Sequence, residues 1–177
     1  ALLLGVPVAL LTAVYLAFFC PKGLYRVLKP AVELLAGIPS VVYGFFGIVV
    51  LVPAVRALGE RWDGSGNAML TASILLAMMI LPTIIGVVEP ALRAVPTSDY
   101  EGALALGATH ERSVYPAVVP AAKSGILAGI VLGVGRAMGE TMAVIMVAGN
   151  QPVIPESITA GVRTLTANIV LEMAYAA

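Results

Sequence analysis

Residues Asp99–Lys123 read DYEGALALGATHERSVYPAVVPAAK, and this polar segment separates two strongly apolar stretches of the chain. Its charged side chains are those of Asp99, Glu101, Glu111, Arg112 and Lys123. Much of the segment consists of residues that favour helices. A charged, helix-forming segment between two apolar stretches predicts a surface that a separate partner can bind from outside the apolar region.

The composition of the whole chain explains what surrounds this segment. Of the 177 residues, 60% are hydrophobic and only 11% are charged, whereas soluble domains carry about 25% charged residues. We therefore expect an all-α integral membrane protein. The net charge of zero gives no argument for nucleic acid as a partner. Because Cys20 and His110 are each the only residue of their type, neither an intrachain disulfide nor a Cys/His metal site is predicted.

Four stretches have the length and apolarity of membrane spans. A helix needs about 20 apolar residues to cross roughly 30 Å of hydrocarbon. The stretches that qualify are Leu2–Phe19 and residues 38–55, 68–88 and 121–148. We expect one domain, 1–177, truncated at one or both ends of a longer membrane protein.

The connections between these stretches carry their own signals. Residues 30–36 form an amphipathic lead-in to the second span. In the third span, Asn67 is a plausible N-cap and Pro82 a plausible kink. Residues 158–175 are too polar for a lipid-facing span, which predicts an interfacial or partly buried helix.

The basic residues predict the orientation of the spans. Cytoplasmic loops carry an excess of Lys and Arg. The first and third connections hold six such residues, and the second holds two that are offset by Glu60 and Asp63. The six are Lys22, Arg26, Lys29, Arg93, Arg112 and Lys123, and the two are Arg56 and Arg61. We therefore expect the loop 93–123 to lie in the cytoplasm.

The polar segment itself is predicted to form two short helices. Ser98 and Glu101 have the spacing of a capping box, with Thr97 as an alternative cap. Gly107 ends the first helix or permits close approach of another backbone. The second helix, 111–114, is expected to stop at Pro116, and Pro120 lies at the entry to the fourth span.

The spacing of this segment resembles the EAA motif of ABC importer permeases, E-A-A-x3-G-x9-I-x-L-P. The matching positions are Glu101, Ala103, Gly107 and Pro120, and the departures are Gly102, Ala117 and Val119. The resemblance implies a MetI-like transmembrane domain, with about four transmembrane helices in this fragment. It also implies a cytoplasmic coupling helix that sits in a groove of a separate ATPase, with Glu101, Ala103, Gly107 and Pro120 as the coupling residues.

Three further stretches resemble the phosphate-specific ABC importer permeases, and the last of them resembles the PstC branch. They are AGIPSVVYGFFG at 36–47, GRAMGETMA at 135–143 and TLTANIVLEM at 164–173. The resemblance implies a multi-pass permease in a bacterial or archaeal cytoplasmic membrane. Its implied partners are membrane lipid, a PstA-like sister permease, two PstB-like ATPase subunits and a PstS-like phosphate-binding protein. ATP and Mg²⁺ would be bound by the ATPase and no cofactor by this chain, which lacks a GxxxxGK[ST] phosphate loop.

Arg136 and Glu140 are two charges near the middle of the predicted fourth span, where a central Arg costs roughly 2.5–3.5 kcal/mol to insert. Their spacing puts both side chains on one face of a continuous helix. Two interpretations remain open: a structural ion pair, or a translocation site in which Arg136 helps the anion through and Glu140 supports it. Guanidinium offers a fixed fork of donors that fits oxyanions.

Gly125, Gly129 and Gly133 recur every four residues on the same span, which predicts close packing against another helix. We expect that helix to come from the sister permease. For the function as a whole, the alternatives are a permease for sulfate or molybdate, and a secondary transporter or channel gated by Arg136 and Glu140. A membrane enzyme is disfavoured because the sequence has no nucleophile–base set.

Overall fold

The computed structural model of the chain describes residues 1–58 and 66–173, and in these residues the secondary structure is helical. Three π-helical turns, Tyr15–Phe19, Gly47–Leu51 and Val114–Val118, extend the α-helices that precede them. The α-helices are α1 (Leu2–Val14), α2 (Lys22–Gly37), α3 (Ser40–Phe46), α4 (Val52–Leu58), α5 (Met69–Arg93), α6 (Thr97–Ala105), α7 (His110–Ser113), α8 (Val119–Ala121), α9 (Lys123–Gly139), α10 (Met142–Val147) and α11 (Leu165–Met173).

Three predicted spans are confirmed as long apolar helices. They are Leu2–Phe19, Ser40–Ala57 and Met69–Arg93. The third continues five residues past the predicted end at Val88, and Pro82 and Pro90 both lie inside it.

The fourth span differs from the prediction of one helix over 121–148. The helical stretch His110–Ala121 meets α9 at an angle of 70°, and α9 ends at Gly139, before a short separate helix, α10. Glycine-rich sequence has low helix propensity, and α9 ends in the run Gly133–Gly139, which holds three glycines. A continuous helix through Glu140 is therefore wrong.

The connecting segments also differ in length from the predictions. The amphipathic lead-in is the last part of α2, a helix that runs through Pro30 from Lys22 to Gly37. The helix predicted over 158–175 begins later than expected, because residues 158–164 are not helical and α11 begins at Leu165; positions 174–175 of the prediction lie outside the described residues.

The chain divides into two compact units, which are described separately. The first unit comprises Ala1–Gly5, Gly37–Ile80 and Gly135–Ala177. Its buried core joins side chains of α3, α5 and α10, among them Tyr43, Leu75 and Val147. A Cβ added at Gly44 would lie 2.5 Å from Met146 Sδ, and one at Gly47 would lie 2.7 Å from Val147 Cγ1. Glycine at both positions therefore lets the backbone of α3 and its π-turn approach α10.

In the same unit, backbone carbonyls satisfy the free N–H groups at the start of α5. The first amides of a helix have no partner inside it. Here the N–H of Ala68 donates to Val147 (3.1 Å), that of Met69 to Ala160 (2.9 Å) and that of Leu70 to Ile158 (2.8 Å). The loop after α10 thus caps α5.

The second unit comprises Val6–Ala36 and Leu81–Val134. Here α9 packs closely on α5 of the same chain. A Cβ added at Gly129 would lie 2.6 Å from Val88 Cγ2, and one at Gly125 would overlap the Cβ of Ala91. Gly133 is buried. Close packing of the glycine face is confirmed, but the helix that meets Gly125 and Gly129 is the chain's own α5 rather than a helix of a second protein.

Candidate functional site

The polar segment folds as helix, turn and helix. The first helix, α6, begins at Thr97, with Pro96 at the N-cap and no side-chain cap. The predicted caps are therefore wrong, and the hydroxyl of Ser98 instead lies 3.4 Å from Asp99 Oδ1. The proline ring fixes φ near −65° but not ψ, and Pro96 has ψ 135°, so its extended backbone lies outside the helix and α6 starts at the next residue.

Gly107 forms the turn that the sequence predicts. Its φ is +86°, a region that only glycine enters at low cost. Its N–H donates to the carbonyl of Leu104 (2.9 Å), and the N–H of Ala108 donates to the carbonyl of Ala103 (3.1 Å). This pair of hydrogen bonds is the Schellman motif, which satisfies the last carbonyls of a helix. Ala103 and Gly107 therefore meet at one turn through their backbones.

The second part of the segment continues through both of its prolines. Thr109 caps α7 by accepting a hydrogen bond from the N–H of Arg112 (3.4 Å). The predicted stop at Pro116 is wrong, because a π-helical turn, Val114–Val118, takes in this proline and leads into α8. Pro120 lies within α8, just before the 70° bend into α9, so its predicted place at the entry to that helix is confirmed.

The outer surface of α6 combines charge with an exposed apolar side chain. Glu101, Gly102 and Gly107 are exposed, and Leu106 is 91% exposed. Leu104, two residues earlier, is also exposed, so two apolar side chains lie beside the turn at the end of α6. Neither was among the predicted coupling residues, although an apolar residue beside Gly107 in a polar segment is visible in the sequence.

A buried acidic residue at the end of α5 is the centre of a hydrogen-bonded cluster. The carboxylate of Glu89 accepts hydrogen bonds from Lys29 Nζ (2.9 Å) and from the hydroxyl of Tyr25 (3.1 Å). It also pairs with Arg93, four residues further along α5. Its side chain is only 2% exposed. Tyr25 and Lys29 lie 64 and 60 residues before Glu89 in the sequence, so no local pattern indicates this cluster.

The charge of Glu89 acts on its partner from α2. Burial lowers the pKa of Lys29, but the hydrogen bond and the negative charge of Glu89 outweigh burial, so the pKa of Lys29 is raised above its usual value. Both halves of the pair are therefore charged at neutral pH. The guanidinium of Arg93 also lies 4.7 Å from the centre of the Tyr25 ring, so this cluster joins α2 to α5 on several sides.

Arg136 lies in the last turn of α9, in the other unit, and its environment is different. The side chain is partly buried, and its Nε is enclosed without a hydrogen-bond partner among the described residues. None of the ion pairs between described residues includes Arg136. At least one donor of the guanidinium, the Nε–H, therefore has no partner in the part of the chain that the structure describes.

Glu140 does not pair with Arg136. Because α9 ends at Gly139, the two residues do not share one helical face. Glu140 Oε1 accepts a hydrogen bond from the N–H of Ala143 (3.2 Å), which lies in the first turn of α10. Its carbonyl accepts from the hydroxyl of Thr166 (3.3 Å). The structural ion pair is thus wrong, and Glu140 caps the helix after the break.

The surroundings of Arg136 on α9 are open. A Cβ added at Gly135 or at Gly139 would meet no heavy atom within 4 Å in the described structure. Met138, between them, is 73% exposed. The site therefore combines an enclosed guanidinium donor that has no partner among the described residues with open positions at Gly135 and Gly139, and a free guanidinium donor can bind an oxyanion.

These features define a class of protein: a helical membrane protein with a polar segment between its apolar spans and a charged group near the end of one of them. Residues 5–176 match the family described as binding-protein-dependent transport system inner membrane component. The chain belongs to this family of MetI-like ABC transporter permeases.

Individual relatives agree with that assignment. The chain is 42% identical to the probable ABC transporter permease protein YqgH of Bacillus subtilis (strain 168), over 98% of this chain and 55% of the relative. It is 36% identical to the phosphate transport system permease protein PstC of Mesorhizobium japonicum, over 99% of this chain and 59% of the relative. It is 37% identical to PstC 2 of Mycobacterium tuberculosis, over 83% of this chain and 50% of the relative. The chain thus spans between half and six tenths of the length of these relatives.

Proposed function

We propose that this chain is the permease part of an ATP-driven phosphate importer, in which it lines the path of the anion and couples that path to a separate ATPase. The phosphate assignment is supported by the similarity to PstC proteins. The observation that carries the anion step is the enclosed, unpartnered Nε of Arg136.

Arg136 offers a positive charge and hydrogen-bond donors, the two features that bind an oxyanion in a translocation path. A buried donor without a partner costs about 1–3 kcal/mol, and a passing phosphate oxygen offsets that cost while it is bound. Guanidinium also presents several donors in a fixed plane, which matches two oxygens of a tetrahedral anion. Glu140 holds the break between α9 and α10 in place through its bond to Ala143, so it positions Arg136 instead of neutralising it.

The polar segment is the docking element for the ATPase on the cytoplasmic side. The exposed side chains of Glu101 and Leu106 provide a charged and an apolar contact. The turn at Gly107 holds them at the tip of α6, and Pro120 connects the segment to α9. ATP and Mg²⁺ bind to the ATPase, of which two copies serve this chain and a PstA-like sister permease. A PstS-like protein delivers phosphate from outside the cytoplasmic membrane of a bacterium or archaeon.

The anion step is tested by ATP-dependent uptake of radiolabelled phosphate in proteoliposomes that contain the full-length chain and its partner subunits. Arg136→Gln should abolish uptake, and Arg136→Lys should retain a small fraction of it, since lysine keeps the charge without the fork. Gly135→Ala is the control, because its Cβ enters open space one residue away. An assembled Arg136→Gln complex that transports phosphate normally would rule the site out.

The same assay separates the competing functions. Uptake that survives loss of the ATPase and collapses with the proton gradient would identify a secondary transporter. Sulfate or molybdate that competes with phosphate at equal concentration would identify a permease for another oxyanion.

The coupling step is tested at Gly107. Gly107→Val should reduce uptake while ATP hydrolysis by the complex continues, because a β-branched residue at φ +86° distorts the turn by roughly 1–3 kcal/mol of strain. Gly102→Ala is the matched control, since Gly102 lies inside α6 with open space around its Cα. Full uptake by the Gly107→Val complex would contradict the coupling role.

A further inference from the structure

The end of the first span is held by two side chains from elsewhere in the second unit. The helix ends at Phe19, and Cys20 is extended, so the carbonyls of the last turn have no partner inside the helix. Arg93 Nη2 donates to the carbonyl of Leu16 (2.8 Å), and His110 Nε2 lies 3.2 Å from the carbonyl of Phe18. Cationic and imidazole side chains at this end of a helix satisfy its last carbonyls.

His110 joins the end of the first span to the polar segment through hydrogen bonds at both of its ring nitrogens. The carbonyl of Phe18 can only accept, so Nε2 of His110 carries the hydrogen. In the neutral ring Nδ1 then accepts a hydrogen bond from the hydroxyl of Tyr100 (2.7 Å). The ring also meets Phe19 edge to face, with 4.8 Å between ring centres. One side chain therefore contacts α6 and the first span from the start of α7.

The contact crosses a space that is not filled. A cleft of about 350 Å³ lies here, and Phe18, Arg93, Tyr100 and His110 are among the residues that line it. Among the hydrogen bonds of the described residues, only that of His110 joins the polar segment to the first span. Beyond it, Phe19 and Tyr115 have ring centres 6.3 Å apart. Apart from these ring contacts, the hydrogen bond of His110 is the polar link across the cleft among the described residues.

We propose that His110 is the positioning residue that passes movement of the polar segment to the first span. This inference rests on the proposed function, in which the ATPase moves the segment. The segment is continuous in sequence with α5 and α9, so its movement reaches those helices through the backbone. The first span is distant in sequence; Arg93 ties its end to α5, and the hydrogen bond from His110 to the Phe18 carbonyl ties it to the polar segment itself.

The test uses the complete reconstituted complex and measures phosphate taken up per ATP hydrolysed. His110→Phe keeps a ring against Phe19 and removes the donor. We expect ATPase binding and ATP hydrolysis to stay at the wild-type level, while the ratio of uptake to hydrolysis falls about three- to tenfold, the effect of one lost hydrogen bond between neutral groups.

Two further variants separate this role from a structural one. His110→Gln places an amide donor near the position of Nε2 and should restore most of the ratio. Tyr100→Phe removes the other hydrogen bond of His110 and should leave the ratio near the wild-type value.

Several results would overturn the inference. An unchanged ratio in His110→Phe, or loss of ATPase binding in that variant, would overturn it, and neither result would contradict phosphate import by the wild-type complex. A loss in Tyr100→Phe equal to that in His110→Phe, without rescue by His110→Gln, would assign the effect to the fold of the segment. If the wild-type complex shows no ATP-dependent phosphate uptake, the proposed function fails first and the inference fails with it.

Discussion

Glu89–Arg93 on α5 and Arg136–Glu140 after α9 are two pairs of opposite charge with the same four-residue spacing. The first pair forms, and Lys29 and Tyr25 add two further hydrogen bonds to its carboxylate. The second pair does not form, because α9 ends at Gly139 and Glu140 turns to cap α10. A spacing of four residues brings charges together only where the helix is continuous.

The difference separates a structural charge from one that is free to act. The desolvation cost of Glu89 is offset inside the protein, since a buried charge is tolerated when it is paired and hydrogen-bonded. The enclosed Nε of Arg136 has no such partner among the described residues. A charge that the fold leaves without a counter-charge can exchange ligands, and a charge held by three partners cannot.

The largest expected effect on stability is at the cluster around the buried Glu89. Glu89→Gln should lower the free energy of unfolding of the full-length protein by about 3 kcal/mol, the lower end of the cost of removing one partner from a buried ion pair, because Arg93 is half exposed. Thermal unfolding in detergent measures the loss as a fall in Tm.

The matched control for that variant is Glu33→Gln. Glu33 also pairs with Lys29, but its side chain is 64% exposed, and an exposed pair contributes less than about 1 kcal/mol. Equal Tm values for the Glu89 and Glu33 variants would contradict the structural role of the cluster.

A smaller effect should distinguish Gly129, which packs against α5, from Gly135, where an added Cβ would meet no atom within 4 Å. Gly129→Ala should destabilise by roughly 1–3 kcal/mol, since its Cβ would lie 2.6 Å from Val88 Cγ2. Gly135→Ala, next to Arg136, should be neutral or stabilise by up to about 1 kcal/mol through helix propensity alone. Thermal unfolding of both variants gives the comparison. A destabilising Gly135→Ala would mean that the space beside Arg136 is filled.

The sequence predicted the elements that depend on length, composition and backbone chemistry. Three spans, the turn at Gly107 and the place of Pro120 follow from apolar length and from what glycine and proline do to a backbone. The glycine face of α9 was predicted to pack closely, but its partner was assigned to another chain. Nothing in the spacing of Gly125 and Gly129 distinguishes α5 of the same chain from a helix of a second protein.

The missed features depend on contacts between residues distant in sequence. Glu89 is 60 residues from Lys29, and His110 is 92 residues from Phe18, so no local pattern indicates either contact. The helix break after Gly139 involves only neighbouring residues, but the sequence is apolar on both sides of it, so hydropathy alone predicts one continuous span. Of the two interpretations left open for Arg136 and Glu140, the ion pair depended on a continuous helix, and in the described structure Glu140 bonds to Ala143 instead.

Substitution of Arg136 should affect phosphate uptake without lowering the stability of the protein. Arg136→Gln should leave the free energy of unfolding unchanged or raise it by up to about 1 kcal/mol, the lower end of the cost of burying an unpaired donor, because Arg136 is only partly buried and its enclosed Nε has no partner in the described structure. Its Tm should therefore be no lower than that of the wild type even where phosphate uptake is lost. A fall in Tm as large as that of Glu89→Gln would show that Arg136 is a structural charge, and the contrast between the two sites would not hold.

The smallest effect tests whether Glu89 keeps Lys29 charged as the pH rises. Because the folded pKa of Lys29 is raised by Glu89, its stabilising contribution is complete below the unfolded lysine pKa of about 10.4. That contribution is lost as the pH rises through the higher folded pKa. The difference in unfolding free energy between the wild type and Lys29→Gln should therefore stay constant from neutral pH upward and shrink only in the strongly alkaline range. Comparing the two proteins cancels the titration of the other lysines and tyrosines, which they share. A difference that already shrinks near pH 8 would mean that Glu89 does not hold the proton on Lys29, and the cluster would then depend on Arg93 and Tyr25 instead.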